Sequence, residues 1–323
     1  MDGDNSDWPD SNFCEITITN QADIESGSIP SCAENETISI SIRNATGVLN
    51  FTALTEAYVI EISDSPQLEI LDLPALQSLY ALISNGAKDL SSISLGQLTS
   101  PAPIFYSGGY WSPAIELNIN GSPSLTQIDL QDATSLNSLT LRDVPILGFN
   151  NPNITSIFTV ESDTCFHLPA LVSAGNIHLI GRGLEDCFGL EKLASVLNFT
   201  LTSISPSVLS FGQAVLTVTD TLVVESSVPN PSADKYTLEL NPITSIGGSG
   251  FVSSNANLHI ELGNLNSVKG NLSLNNNQNC TFNFDQLEEV GSLMLMDNPN
   301  TFLPSFPSLL RADSIHLRGL INE

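Results

Sequence analysis

A hydrophobic pattern that recurs every 21 or 22 residues constrains the fold of this chain more than any other feature of its sequence. Each unit has a short alternating strand such as Leu-x-Ile, a polar corner, a second apolar group and an approach of the form Leu-x-x-Leu or Leu-x-x-Val. Repeats of this length stack as coils, because one unit cannot bury its apolar face alone. The clearest units run from Ile60 to Leu82, Leu117 to Leu139, Leu272 to Leu293 and Leu293 to Ile315.

Composition selects among repeat architectures. A leucine-rich repeat with helices on one side needs stretches of 3.6-residue period rich in Ala, Glu and Lys, whereas here Lys is rare and Ser, Thr and Asn abound. The sequence predicts an all-β, right-handed parallel β-solenoid of ~20–22-residue coils with little helix, in two continuous halves, 1–160 and 161–323. Irregular stretches lie at 99–114 and 225–235. Weaker restarts fall near Ile16, Ile40, Ile104, Ile157, Ile177, Leu197, Val215, Leu238 and Leu258.

The corners and ends of the solenoid carry further expectations. Asn and Asp at corners tolerate left-handed backbone and bond to turn amides. Residues 21–26 are a candidate short helix for an N-terminal cap, which would cover the first strand edge. At the other end the chain stops inside a strand around His316, which predicts a fragment of a longer protein.

The five cysteines form no CxxC pair. Cys165 and Cys187 are 22 residues apart, so they would face each other on adjacent strands about 4.8 Å apart, a separation that a disulfide accepts. Cys14 and Cys32 flank the candidate helix and would fasten the cap. Two disulfides with Cys280 left over are therefore predicted, and five reduced thiols are the alternative.

The net charge is -26, from 35 acidic and 9 basic residues. So few cations exclude a nucleic-acid surface and binding to anionic lipid. Since 41% of residues are hydrophobic and only 14% are charged, the acidity is not that of a disordered chain. The carboxylates are expected on outward strand positions and turns, where they keep monomeric solenoids soluble.

The evidence on compartment is mixed. The first residues lack the basic start and apolar run of a secretory signal, and the last ones lack a GPI signal, which taken alone predicts a cytosolic scaffold. N-glycosylation acceptors are present, although about six would arise by chance in this composition. They are Asn35, Asn44, Asn50, Asn120, Asn153, Asn198, Asn271 and Asn279.

Several segments resemble the fungal receptor-L-domain-like cell-wall proteins, the GPI-anchored cell-wall-organisation family related to sporulation-specific wall proteins. The likeness rests on residues 14–23 with Cys32 and the strand at 38–42, on the coils around 68–82 and 117–141, and on 280–293, 297–300 and 314–319. The resemblance implies a secreted, N-glycosylated solenoid, GPI-anchored in its full-length form at the cell wall or the outer face of the plasma membrane. It also implies a role in wall integrity, with wall polysaccharides or wall proteins as partners.

A search for chemistry gives no catalytic set, no cofactor motif and no metal site. The acidic pairs closest in sequence, Glu185/Asp186, Glu288/Glu289 and Asp129/Asp132, have no His, Arg or Lys clustered with them. His178, His259 and His316 each occupy the outward place of a strand motif in distant coils. We therefore expect a protein that is not an enzyme. The alternative is a secreted carbohydrate-active β-helix enzyme of pectin lyase or glycoside hydrolase type, if stacking gathers charged groups in one cleft.

Residues 105–111 form the most distinctive local segment of the sequence, a cluster of aromatic residues with two glycines. Glycines beside Tyr106, Tyr110 and Trp111 make it a candidate glycan-stacking loop. A bulge whose rings cover the flank of the solenoid is the alternative.

Overall fold

The protein is a parallel β-solenoid. The computed structural model has about 11 turns of roughly 22 residues and essentially no helix, which confirms the predicted fold class. The chain divides into two compact units, 1–133 and 134–323, whereas the halves expected from sequence meet at 160/161. The structure describes residues 13–25, 37–96, 98, 105–106, 109–110, 115–131, 133–144, 153–163, 166–180, 188–204, 209–211, 215–227, 236–301 and 304–319.

The described residues of the first unit form two parallel sheets, a short hairpin and one helix. Its elements are β1 Phe13–Ile18, α1 Gln21–Glu25, β2 Thr37–Arg43, β3 Thr46–Asn50, β4 Glu56–Ser63, β5 Gln67–Leu73, β6 Ser78–Asn85, β7 Ser92–Leu95, β8 Phe105–Tyr106, β9 Gly109–Tyr110, β10 Ile115–Asn120 and β11 Gln127–Asp129. Strands β1, β2, β4, β6 and β10 pair in that order, and β3, β5, β7 and β11 form the second sheet. The antiparallel hairpin of β8 and β9 lies within the stretch expected to be irregular.

The second unit repeats this plan. Its strands are β12 Ser135–Arg142, β13 Ser156–Ser162, β14 Phe166–His167, β15 Ser173–Ile180, β16 Phe188–Gly189, β17 Ser195–Thr202, β18 Leu209–Ser210, β19 Leu216–Glu225, β20 Tyr236–Glu239, β21 Ile243–Ile246, β22 Gly250–Ser253, β23 Leu258–Glu261, β24 Ser267–Asn275, β25 Thr281–Asn283, β26 Glu289–Met296 and β27 Arg311–Arg318. The main sheet here consists of β12, β13, β15, β17, β19, β21 with β22, β24, β26 and β27. We call the sheet of β20, β23 and β25 the side sheet; β14, β16 and β18 form a third sheet.

Strand register confirms the repeat. Ile60 lies opposite Leu82, and Leu272, Leu293 and Ile315 lie opposite one another on successive strands. Ile60, Leu82, Leu272 and Leu293 are almost fully buried, whereas Ile315 on β27 is 54% exposed. Each fully buried leucine stabilises the fold by about 1.5–3 kcal/mol. Stacked columns of aliphatic side chains therefore form the core.

The Leu-x-x-Leu approach is a hydrogen-bonded turn. The amide of Leu171 donates to the carbonyl of Leu168 over 3.1 Å, and Leu265 bonds to Leu262 in the same way over 2.9 Å. The turn reverses the chain while both leucines stay buried. The sequence motif thus encodes a bend as well as two core contacts.

Polar corners follow the main strands as expected. Asn44, Asp64, Asn276 and Asp297 have φ between 47° and 55°, a left-handed conformation that Asn and Asp adopt at low cost. The residue after each of them is buried. We call that buried place the corner position.

The predicted cap helix is present as α1. The Asp23 carboxylate accepts hydrogen bonds from the Thr19 amide (2.7 Å), the Thr19 hydroxyl (2.8 Å) and the Asn20 amide (3.0 Å). These bonds, the Thr19 amide first, lower the pKa of Asp23 because they stabilise its ionised form. The Gln21 side chain accepts from the Asn50 amide over 2.9 Å and so ties the helix to β3.

Two of the weaker restarts were placed wrongly. Leu238 and Leu258 lie in the side sheet, on β20 and β23. The main strands that follow them are β21 with β22, and β24. The unexpected one is β22. There Gly250 occupies the inward place between Leu222 and Leu272. A Cβ on Gly250 would come within 3.2 Å of the Leu272 Cδ1 and 3.3 Å of the Ile246 Cδ1, so neighbouring side chains already fill the space. Because glycine has no side chain, a glycine at a core position leaves a gap in the hydrophobic pattern, and the strand is not recognised from sequence.

Candidate functional site

Two rows of small polar side chains run along the outward face of the main sheet in the second unit. Register aligns a hydroxyl on seven successive strands. A second line of hydroxyl and amide groups lies three residues further along four of them, and four residues further along β19, where the register shifts. All of these residues are half-buried. The serine row is Ser135, Ser156, Ser173, Ser195, Thr217, Ser245 and Ser267, and the amide row is Ser138, Thr159, Asn176, Asn198 and Thr221.

Parallel pairing sets the spacing of both rows. Adjacent strands lie about 4.8 Å apart, so each row offers one hydrogen-bonding group per strand step. Within the amide row, the Asn198 Nδ2 donates to the Asn176 Oδ1 over 2.8 Å. The rows therefore present uncharged donors and acceptors at fixed positions.

A chain of charged and polar contacts crosses the same face. Arg142 forms an ion pair with Glu161, and the Glu161 Oε1 lies 3.9 Å from the His178 Nδ1. The His178 Nε2 lies 3.2 Å from the Thr202 hydroxyl, which donates to Glu225 over 3.3 Å. From the sequence, His178 was expected only to point outward. Stacking brings it together with side chains from four other strands.

The two carboxylates in this run of contacts do not have the spacing used in glycoside hydrolysis. Glu161 and Glu225 are separated by three strand steps, so the backbones that carry them lie about 14 Å apart across the sheet. The side chains of His178 and Thr202 lie between their carboxyl groups. Hydrolysis across a sugar needs carboxyl groups about 5–9.5 Å apart. The side chains of Arg142, Glu161 and His178 are 51%, 28% and 38% exposed, so the chain of contacts is open to solvent.

A second polar cluster lies on the side sheet. The His259 Nδ1 is 2.6 Å from the Thr281 hydroxyl, and the His259 Nε2 is paired with the Glu261 Oε1. The Asn283 Nδ2 donates to the other oxygen of Glu261 over 3.0 Å. Register explains the cluster, since Thr281 lies opposite His259 and Asn283 lies opposite Glu261. We call His259, Glu261 and Thr281 the side-sheet triad.

Glu239 lies opposite Glu261 on β20, at the spacing of adjacent strands. Like charges in that position repel by a few tenths of a kcal/mol to about 1 kcal/mol. Both oxygens of Glu261 are engaged as acceptors, so it does not act as a proton donor to a leaving group. The two glutamates thus lack the division into acid and nucleophile that retaining hydrolysis requires.

Sequence reasoning placed His259 correctly on an outward strand position but missed its partners. The usable signal was the interval: His259 and Thr281 are 22 residues apart, as are Glu239, Glu261 and Asn283 in turn. Applying the coil length to polar as well as apolar residues would have found the triad.

Two of the proposed acidic pairs fall wholly or partly outside the described residues, namely Glu185/Asp186 and, through Asp132, Asp129/Asp132. Glu288, just before β26, and Glu289, its first residue, are both exposed. His316 is exposed on β27, and His167, exposed on β14, lies 3.4 Å from Glu191.

The cysteine predictions are only partly within the described residues. Cys14 is disulfide-bonded, and Cys280 is a buried thiol that donates to the Gln278 carbonyl over 3.4 Å. Cys32, Cys165 and Cys187 lie outside the described residues. The two pairings therefore stay predictions.

The acceptor asparagines differ in exposure. Asn44, Asn120, Asn153 and Asn271 are exposed, while Asn50, Asn198 and Asn279 are half-buried; Asn35 lies outside the described part of the chain. The Asn279 Nδ2 donates to the Asn257 Oδ1 over 2.7 Å, much as Asn198 donates to Asn176.

The candidate glycan-stacking residues cannot be placed: Trp111 and the side chains of Tyr106 and Tyr110 lie outside what the structure describes.

Neither a metal cluster nor a membrane span is found in the described residues. No group of three or more His, Cys, Asp or Glu side chains there could hold a metal ion. Within the same ranges no helix has the length and apolar character needed to cross a bilayer. No family model, curated protein or solved structure matches the chain.

Proposed function

We propose that this protein is a cell-surface solenoid that contributes to fungal cell-wall organisation by binding neutral wall polysaccharide. The observation that carries the proposal is the pair of uncharged polar rows on the main sheet of the second unit. A linear polymer lying along the serine row would meet one hydroxyl at each strand step. Binding of this kind requires no catalytic group, and we propose that the main sheet acts without catalysis.

The chemistry of the rows favours a neutral, hydroxyl-rich ligand. Serine and threonine hydroxyls donate and accept, as do asparagine amides, so they match sugar hydroxyls in either direction. The register fixes these groups before binding, which lowers the entropy lost when the ligand docks. A net charge of -26 opposes anionic polymers.

The resemblance to fungal wall proteins supports the cellular setting. We propose secretion, N-glycosylation at exposed acceptors such as Asn44 and Asn153, and disulfides joining Cys14 to Cys32 and Cys165 to Cys187. Attachment by a GPI anchor would belong to the full-length parent. Wall proteins are further partners in this proposal, and the solenoid works as a monomer.

A sedimentation assay with insoluble β-glucan and chitin tests the polysaccharide proposal. The double variant Ser195→Glu/Asn198→Glu places two carboxylates in the rows on β17, and we expect it to lose at least tenfold in affinity. The matched control Asn264→Glu/Ser305→Glu adds the same charge at exposed positions outside the main sheet and should bind within about twofold of the parent. Protein made in a host without N-glycosylation removes the effect of losing the Asn198 acceptor.

Two outcomes would overturn the proposal. One is that the protein without substitutions sediments with neither polymer. The other is equal loss in the row variant and the control, which would indicate a general charge effect. Circular dichroism of each variant checks that the solenoid is intact.

A further inference from the structure

We infer that the side-sheet triad of His259, Glu261 and Thr281 makes the Thr281 hydroxyl a nucleophile that accepts acyl groups from neutral esters. This activity is separate from the polysaccharide proposal: it concerns another sheet, and neither depends on the other. A nucleophilic hydroxyl is recognised by a base within hydrogen-bond reach and a third group that orients the base. The side-sheet triad has both contacts.

The contacts determine the tautomer of His259. The Glu261 carboxylate only accepts hydrogen bonds, so the proton of a neutral imidazole sits on Nε2. The lone pair is then on Nδ1, and the Thr281 hydroxyl, 2.6 Å away, donates to it. Asn283 holds the second oxygen of Glu261 over 3.0 Å and fixes the carboxylate in turn. Each member is thus oriented by the next.

The scaffold keeps this arrangement rigid and open. His259 and Glu261 are two residues apart on β23, so both point to the same face, and Thr281 is their register neighbour on β25. The His259 and Glu261 side chains are 30% and 21% exposed, and Thr281 is half-buried. An ester can therefore reach Thr281 from solvent, while hydrogen bonds between the two strands hold the geometry.

The reaction balances without any cofactor. His259 Nδ1 takes the Thr281 proton as the Thr281 Oγ1 forms a bond to the carbonyl carbon of the ester. The bond from that carbon to the alcohol oxygen then breaks, and the imidazolium returns the proton to the departing alcohol. A water molecule then attacks the acyl carbon while His259 Nδ1 takes its proton. The bond from that carbon to Thr281 Oγ1 breaks, the imidazolium returns the proton to Thr281, and the acid leaves.

Charge around the site selects the substrate class. Glu239 lies opposite Glu261, and the whole chain carries -26, so an acyl group bearing a carboxylate or phosphate is repelled. Small neutral acyl esters such as acetyl esters fit the site.

The test uses the full chain, made in a host without N-glycosylation, and p-nitrophenyl acetate as the acyl donor. Release of nitrophenol gives the rate, and peptide mass spectrometry locates any acetyl group. We expect acetylation of Thr281, abolished in Thr281→Val and lowered at least tenfold in His259→Gln. Thr281→Ser keeps a hydroxyl at the same place and should retain the reaction.

Glu261 acts here as a positioning residue, through His259. Glu261→Gln should lower the acylation rate at least tenfold with little change in the concentration of ester that gives half-maximal rate, because the ester does not touch Glu261. Glu261→Asp should restore part of the rate. A purely structural carboxylate would instead change folding, which a thermal melt detects.

Thr237 supplies a matched control. Thr237 lies opposite His259 on β20, the neighbour of β23 on the side away from β25, and it is half-buried like Thr281. Thr237→Val should leave both acylation rate and site unchanged. Two results would overturn the inference. One is an unsubstituted protein with neither acetyl-Thr281 nor a nitrophenol release that is lost in Thr281→Val, and the other is acylation at full rate in His259→Gln.

Discussion

The corner positions of the two units are filled differently. In the first unit the buried residue after the left-handed one is Ala45, Ser65, Ala87 or Ser122. In the last coils of the second unit it is Ser227, Asn255, Asn277 or Asn298. The backbone turn is the same, so the comparison isolates what the buried side chain contributes.

Asparagine bonds to two parts of the preceding coil at once. The Asn277 Oδ1 accepts from the Asn255 amide over 3.2 Å, while its Nδ2 donates to the Val252 carbonyl over 2.8 Å. Asn298 does the same one coil later, accepting from the Asn277 amide (2.9 Å) and donating to the Leu274 carbonyl (2.6 Å). We call Asn255, Asn277 and Asn298 the asparagine ladder. A serine such as Ser65 also accepts from the preceding coil, from the Ala45 amide over 3.1 Å, but its single hydroxyl proton is nearer to the Ser63 carbonyl of its own coil (2.9 Å) than to the Ile42 carbonyl of the preceding one (3.4 Å). Its donor bond to the preceding coil is therefore weaker than that of an asparagine.

Removing the middle of the asparagine ladder should have the largest effect. Asn277→Ala leaves the buried amide of Asn255 and the carbonyl of Val252 without these partners, so we expect a loss of about 3 kcal/mol in the free energy of unfolding. Urea unfolding followed by circular dichroism measures it. The control Asn264→Ala removes an exposed asparagine and should cost less than about 0.5 kcal/mol. Equal losses in the two variants would contradict a special role for the ladder.

Ser65→Ala should have an intermediate effect. Its hydroxyl accepts from the Ala45 amide over 3.1 Å, and the variant leaves that buried amide unpaired, at a cost of about 1 kcal/mol. The same urea titration measures the loss. A loss as large as that of Asn277→Ala would mean that the number of bonds per corner does not explain the difference between the units.

Ser122→Ala should have the smallest effect. The Ser122 hydroxyl is buried and has no hydrogen-bond partner among the residues that the structure describes. Replacing an unsatisfied polar group by a methyl group should leave stability unchanged or raise it by about 0.5 kcal/mol. A clear loss of stability, seen as a lower thermal midpoint, would contradict the assignment of Ser122 as unsatisfied.

The fold was predictable because its main driving force is periodic. Leu272 and Leu293 repeat at the coil length, and the same interval that marks them in the sequence places them opposite each other in the structure. The hydrophobic pattern did not predict the strand at which neighbouring side chains fill the core. At Gly250 the apolar volume comes from Ile246 and Leu272, so no residue at the expected place signals the strand.

The candidate sites were harder to predict, for a different physical reason. Outward polar residues are under no packing constraint that would make them periodic. Arg142, Glu161 and His178 show no common spacing in the sequence. Only their strand register reveals that they touch. The side-sheet triad does keep the coil interval. Its members His259 and Thr281 are 22 residues apart, so no local sequence motif connects them.

The asparagine ladder also gives the solenoid a direction of assembly. Each ladder side chain bonds backward, so the corner formed around Asn255 is complete only after Asn277 has arrived with the next coil. As the chain leaves the ribosome, the newest coil holds an open corner until about 22 further residues have been made. In these coils the corner formed first is therefore completed by the coil that is synthesised after it.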